Sequence, residues 1–210
     1  MRAAAFTEPG PPEVLRLLDV PTPGPGEVRV RVMAAGVQPY DAAVRAGWAP
    51  PGVPLTWPRI PGNEFAGITD DGEEVLGFST LGSYAEYVVV PEDQVTAKPR
   101  AMPWEVAGGF TAGAQTAHIS LETLGITAND TLLIHGAAGA VGTVAVQLAG
   151  MAGATVIGTG SAANQDYIRS LGAIPVVYGD GLADHKPTAA LDGAGGKALF
   201  LELVGGCAAS

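Results

Sequence analysis

Over the first hundred residues, apolar positions come in short runs and at alternate places. Residues 27–32, EVRVRV, set valine against charge with period two, which predicts a strand with one wet face. Residues 83–90, SYAEYVVV, form a second run of strand-forming residues. Between them lie PTPGPGE, WAPPGVPLTWPRIPG and TDDGEE, rich in the residues that make turns and loops. Many short strands with such punctuation predict a small barrel-like β-domain over residues 1–112.

The pattern changes near Pro103. Residues 103–125, PWEVAGGFTAGAQTAHISLETLG, read as helical. Beyond them TLLIH, TVIGT and IPVVY read as strands, alternating with the helical AVGTVAVQLAGMAG and NQDYIRSLG, and AALD (189–192) reads as a fourth strand. Strands alternating with helices predict an α/β unit over residues 113–210 with a parallel, doubly wound sheet. Two joints look short. FAGITDDGEEV leaves little room between its strands, and only ADHKPT separates VVYGDGL from AALDGAGG, where a parallel crossover needs about a dozen residues.

Gly136, Gly139 and Gly142 stand between the buried strand TLLIH and the start of the next helix. The missing Cβ atoms let backbone N–H groups approach a diphosphate, and the helix end adds its positive dipole. A plain tight turn would need no such flanks; strand, turn, helix and a second strand in that order point to dinucleotide binding. Ala138, Gly139, Ala140, Val141 and Gly142 are the expected cradle, and Tyr178, after the third strand, joins them as a cofactor contact. A free ribose 2′-hydroxyl usually meets a carboxylate at the end of the second strand. That end, GTGSAAN (158–164), has none. Thr159, Ser161 and Asn164 offer hydroxyl and amide groups, which favours the 2′-phosphorylated cofactor, NADPH; the nearest cation is Arg169.

Composition narrows the field. The 210 residues carry 11 Lys and Arg against 21 Asp and Glu, a net charge of −10, so a nucleic-acid partner is not expected. No apolar run reaches the roughly 20 residues of a membrane span, and no leader-like segment opens the chain. The single Cys207 fits a reducing, cytoplasmic setting, and its CAAS context lacks the basic flank of a prenylation box.

The sequence resembles the medium-chain dehydrogenase/reductase superfamily, in its zinc-free quinone oxidoreductase and enone reductase branch. The resemblance rests on GPGEVRVRVMAAGVQPYDAAVRAG, IPGNEFAG, GSYAEYVVVP, FTAGAQTAH, LLIHGAAGAVGTVAVQLA and NQDYIRSLGA, which occur in the family's order. It implies a GroES-like β-domain followed by a Rossmann sheet that stops after its fourth strand, so AALD is expected at a sheet edge. Family members run on by roughly another third, which suggests that this sequence is part of a longer chain. They often dimerise through the missing edge, which leaves a homodimer open. Zinc-bearing members place Cys and His where this chain has Gln38 and Asn63, so no metal is expected.

The implied activity is hydride transfer from NADPH to a small quinone or α,β-unsaturated carbonyl. In the family's NPxD element Gln38 takes the place of Asn, with Pro39 and Asp41 kept. Gln38 is then a candidate to polarise the substrate carbonyl, and Asp41 is more a structural hydrogen-bonder than an acid. The family's tyrosine two residues after the aspartate is Ala43 here. Tyr40 is the substitute candidate for proton donor, against a plain packing role; Trp48 is a candidate cleft residue, and Glu64, Tyr84 and Glu86 read as scaffold. Thr111 resembles the family's contact near the nicotinamide. A different class stays open, an NADPH-binding sensor without turnover.

Overall fold

A computed structural model describes residues 1–179, 187–192 and 199–202 of the chain. The short joint at 180–186 and Cys207 lie outside the described residues. Two compact units are present, Met1–Ala112 and Gly113–Ser210.

The first unit is antiparallel. β1 (Arg2–Ala5) and β2 (Arg16–Asp19) form a ribbon. β3 (Val28–Ala35), β4 (Glu64–Thr69), β5 (Glu74–Phe78), β6 (Tyr87–Val90) and β7 (Val95–Ala97) form a sheet in the order β6-β3-β4-β5-β7. The alternation in EVRVRV is used as expected, since Val30 is fully buried while Arg31 faces solvent. Val30, Phe65, Val75, Val88 and Val90 make the core of this sheet. The tight joint around residue 70 is a direct hairpin, with Thr69 N–H on Glu73 C=O at 3.0 Å. SYAEYVVV is strand only at Tyr87–Val90; upstream, Ala85 makes an isolated bridge with Ala3. Helix α1 (Pro39–Arg45) follows β3, and α2 (Trp104–Gly108) packs on β3 and β4.

The expected helix over 103–125 is two helices, α2 and α3 (Thr111–Leu124), broken at Gly109 and Phe110. Gly109 leaves helical geometry at φ −109°, ψ 15°, and this poor helix former ends the first helix.

The second unit is α/β. β8 (Thr131–His135), α4 (Ala140–Met151), β9 (Thr155–Gly160), α5 (Gln165–Ser170), β10 (Ile174–Val177), β11 (Ala189–Asp192) and β12 (Leu199–Glu202) give the sheet order β10-β9-β8-β11-β12. The first four strands are parallel, in the 3-2-1-4 arrangement expected of a doubly wound sheet. AALD is not an edge: β12 pairs with it, running antiparallel. Helix α4 turns Gly142, Ala145, Val146 and Ala149 inward, the spacing of one helical face. These small residues bring the helix close to Leu132 and Ile134 of the central strand.

Candidate cofactor and substrate sites

In the second unit the chain leaves β8 at His135 and turns at Gly136, whose φ of +75° suits glycine. The turn closes with Gly139 N–H on Gly136 C=O at 3.0 Å, and Ala137 N–H is tied to Thr159 C=O at 2.9 Å. Helix α4 then starts with Gly139 as N-cap, with no side-chain cap and no acidic residue in its first turn. The N–H groups of Ala140, Val141 and Gly142 therefore have no intrahelical acceptor and carry the helix's positive end. A Cβ on Gly142 would sit 2.4 Å from Gly136 C=O oxygen and 2.6 Å from Ala137 Cα, so only glycine lets helix and turn meet here. An uncapped, acid-free helix start of twelve residues under a glycine turn fits a dinucleotide diphosphate.

The residues expected at the ribose end divide. Ser161 and Asn164 are exposed just beyond β9. Gln165 staples this loop, its amide donating to the carbonyls of Gly160, Ser161 and Val176. Tyr178 is 45% exposed, its N–H bonded to Gly160 C=O and its ring 4.9 Å from that of His135. Thr159 is a correction. It is fully buried, its hydroxyl accepting from Gly136 N–H at 3.2 Å and lying 2.9 Å from His135 Nδ1. It braces the glycine turn and does not face a ribose. Arg169 pairs with Asp166 on the outside of α5.

In the first unit Asp41 organises the start of α1. It is 3% exposed; one carboxylate oxygen accepts from Gly62 N–H at 3.0 Å, the other from Gln38 N–H at 2.8 Å and Tyr84 hydroxyl at 3.1 Å. Burial raises its pKa above the ordinary carboxylate value, and the three hydrogen bonds oppose the shift. Tyr84 is pushed far up, first by burial and then by Asp41, so it stays a donor. These contacts tie the Asp41 carboxylate to the start of α1, to Gly62 and to Tyr84.

Gln38 departs from expectation. Its amide donates to Oε1 of Glu64, which is fully buried and takes Ala112 N–H on Oε2 at 2.8 Å. The carboxamide expected to polarise a substrate carbonyl is therefore engaged internally. Gly36 makes room for the same carboxylate, since a Cβ there would lie 2.1 Å from Glu64 Oε1. The half-buried Tyr40 donates its hydroxyl to Thr80 C=O at 2.9 Å and meets Trp48 edge-on at 5.3 Å. Burial, then Asp41, raises the Tyr40 phenol above its usual value, against a smaller lowering by Arg59. Trp48 is 47% exposed. Thr111, the first residue of α3, is buried with no hydrogen-bond partner for its hydroxyl among the described residues.

Sequence reasoning missed the depth of Glu64's involvement, the staple of Gln165 and the partner of Thr159. His135 was the available signal, a polar residue closing an apolar strand beside the first glycine.

A mainly antiparallel β unit followed by a parallel 3-2-1-4 sheet with a glycine turn after its first strand is the architecture of dinucleotide-linked dehydrogenases. Residues 24–75 match the alcohol dehydrogenase GroES-like domain. The chain is 30% identical over 198 residues to 2-methylene-furan-3-one reductase of Solanum lycopersicum, covering 82% of this chain and 50% of that protein. It is 33% identical over 180 residues to quinone oxidoreductase of Sus scrofa, covering 78% and 54%. The structure of quinone oxidoreductase from Thermus thermophilus, also solved in complex with NADPH, superimposes with a TM-score of 0.76 at 30% identity, covering 84% of this chain and 59% of that one. The chain belongs to the medium-chain dehydrogenase/reductase superfamily, in its quinone oxidoreductase and enone reductase branch. It spans about half the length of the curated relatives it matches.

Proposed function

We propose that the protein is an NADPH-linked, metal-independent oxidoreductase that reduces quinones or α,β-unsaturated carbonyls. The observation that carries this reading is the bare first turn of α4 beneath the glycine turn, a preformed seat for a diphosphate. The backbone of Ala138–Gly142 holds the diphosphate. Ser161, Asn164 and Tyr178 meet the ribose phosphate and adenine end, where a carboxylate that would repel a 2′-phosphate is absent between 158 and 164. Bound NADPH supplies the hydride. The chain's own contribution is position and the proton.

Tyr40 is the proposed proton donor. Its raised pKa keeps the phenol protonated at neutral pH, and it releases Thr80 C=O to bond a substrate oxygen. Asp41 and Tyr84 fix the start of α1 on which Tyr40 stands. Carboxamides at positions 38 and 63 do not supply the ligands that Zn²⁺ prefers, which favours chemistry on an already electrophilic conjugated system.

A second reading, an NADPH-binding sensor without turnover, is favoured by one observation. Both candidate polar groups, the Gln38 amide and the Tyr40 hydroxyl, are already engaged within the chain. Absorbance at the reduced-nicotinamide band, with a quinone and with an enone, separates the readings. Consumption of NADPH supports the enzyme; binding without consumption across both substrate classes supports the sensor.

A further inference from the structure

We infer that the buried guanidinium of Arg59 is a binding site for a small carboxylate, which it takes two-pronged on the edge formed by Nε–H and Nη2–H. The site lies in the first unit and does not rest on the proposed dinucleotide seat.

The backbone of Arg59 is fixed. Its N–H donates to Phe6 C=O at 2.8 Å and its C=O accepts from Phe6 N–H at 3.0 Å, an isolated antiparallel bridge. The residue is 3% exposed, and the surroundings are apolar: Phe6 is buried and meets Trp57 edge-on at 5.6 Å. The side chain carries a fixed fork of N–H donors and keeps its charge at any ordinary pH. Nη1 reaches the carbonyl of the exposed Pro54 at 3.3 Å. Nε and Nη2 are buried without a hydrogen-bond partner among the described residues, and no carboxylate there pairs with the group.

Lys98, the other buried cation of this unit, shows how the chain treats a charge it uses internally. It pairs with Glu74 at 3.0 Å, donates to the carbonyls of Pro99 and Met102, and lies over the Trp104 ring at 4.6 Å. Arg59 has no such set, although the sequence holds 21 Asp and Glu against 11 Lys and Arg. A charge away from water is costly unless paired, so a chain with carboxylates to spare leaves this one for a ligand.

The free donors decide the ligand. Nε–H and Nη2–H project side by side from one edge of the planar group, matching the two oxygens of a carboxylate. Both nitrogens are enclosed, so the anion is small, of the size of formate or acetate. Burial, then Asp41, raises the Tyr40 phenol, and Arg59 is the charge that opposes them. The proposed proton donor thus feels this guanidinium, and the carboxylate has two sources: a free anion, or the acid group of an unsaturated substrate held at Tyr40. Only the second source rests on the proposed activity.

The test uses the full chain, labelled with ¹⁵N so that Arg59 Nε–H is followed directly. Formate and acetate, added at constant ionic strength, are expected to move that resonance saturably and to raise Tm along the same curve. Sulfate and pivalate should leave the resonance unmoved. Arg59→Lys keeps the charge without the fork and should weaken formate binding about tenfold, read from Tm, while Arg59→Met should abolish the saturable rise. Should Arg59→Met fail to fold, the wild-type resonance decides alone. An Arg59 Nε–H that formate and acetate leave still overturns the inference, as does a saturable rise in Tm that survives in Arg59→Met. Steady-state rates with β-acetylacrylate and with its neutral methyl ester then separate the sources. A loss of about tenfold in kcat/KM for the acid alone in Arg59→Lys assigns the site to the substrate; equal rates or equal losses assign it to a free carboxylate. Absence of turnover with either compound and with quinones would count against the proposed function and leave the binding result standing.

Discussion

Helix α4 contains two glycines that make opposite predictions. A Cβ on Gly142 would lie 2.4 Å from Gly136 C=O oxygen and 2.6 Å from Ala137 Cα, both backbone atoms, whereas a Cβ on Gly150 meets nothing within 4 Å. Ordinary contact begins near 3.4 Å, so Gly142→Ala must drive the turn and the helix apart by about 1 Å. Overpacking of this kind costs about 1–3 kcal/mol. The helical preference for alanine returns about 1 kcal/mol, giving a net loss of about 0–2 kcal/mol. Gly150→Ala receives the preference without the clash and should gain about 0.5–1 kcal/mol. Urea unfolding of the two variants beside wild type measures the difference. Because the displaced groups are the proposed diphosphate donors, Gly142→Ala should also lose about tenfold or more in NADPH affinity, by fluorescence titration, while Gly150→Ala keeps it. If Gly142→Ala were as stable as Gly150→Ala and bound NADPH equally well, the close approach of helix and turn would be refuted.

Further expectations concern the first unit and the acid range. Glu64→Gln replaces one acceptor oxygen of this fully buried carboxylate by an amide donor, opposite the Gln38 amide or Ala112 N–H, and should lose about 1–3 kcal/mol in chemical denaturation. Tyr40→Phe should lower enone turnover about tenfold or more with little change in NADPH affinity, measured by steady-state rates and by titration; undiminished turnover of every accepted enone removes Tyr40 from the mechanism. Asp130 is held below its usual value of 3.8 by hydrogen bonds from the Thr127 hydroxyl, Thr127 N–H and the Thr188 hydroxyl. A depressed acid stabilises the fold above its unfolded pKa and loses that contribution as pH falls through the folded one. Wild type should therefore be more stable than Asp130→Asn at pH 7, with the gap in melting temperature closing below about pH 4.

The parallel sheet was the most legible part of the chain. Its strands are bounded by glycine and polar residues, and the change of period from two to that of a helix is sharp at residues 136–140. AALD was readable as a strand, yet its neighbour was not, because LFLE carries no alternation and follows a glycine-rich stretch. The break between α2 and α3 was written in GGF, which a helical window passes over. Side-chain commitments were the least legible. Nothing in the spacing of Gln38 and Glu64, 26 residues apart, says that the amide turns inward to a buried carboxylate. Thr159 is similar: a hydroxyl at the end of a strand is equally suited to a ribose or to its own core, and strand alternation decides the question only once the register with Gly136 is known.

The central claim is that the backbone of residues 138–142 holds the diphosphate of a nicotinamide dinucleotide. Amide chemical shifts of the ¹⁵N-labelled chain during NADPH titration test it directly. Saturable binding is expected, with the largest perturbations at Ala138, Ala140, Val141 and Gly142. No binding of NADPH or NADH, or binding that leaves those four amides unmoved, would contradict it.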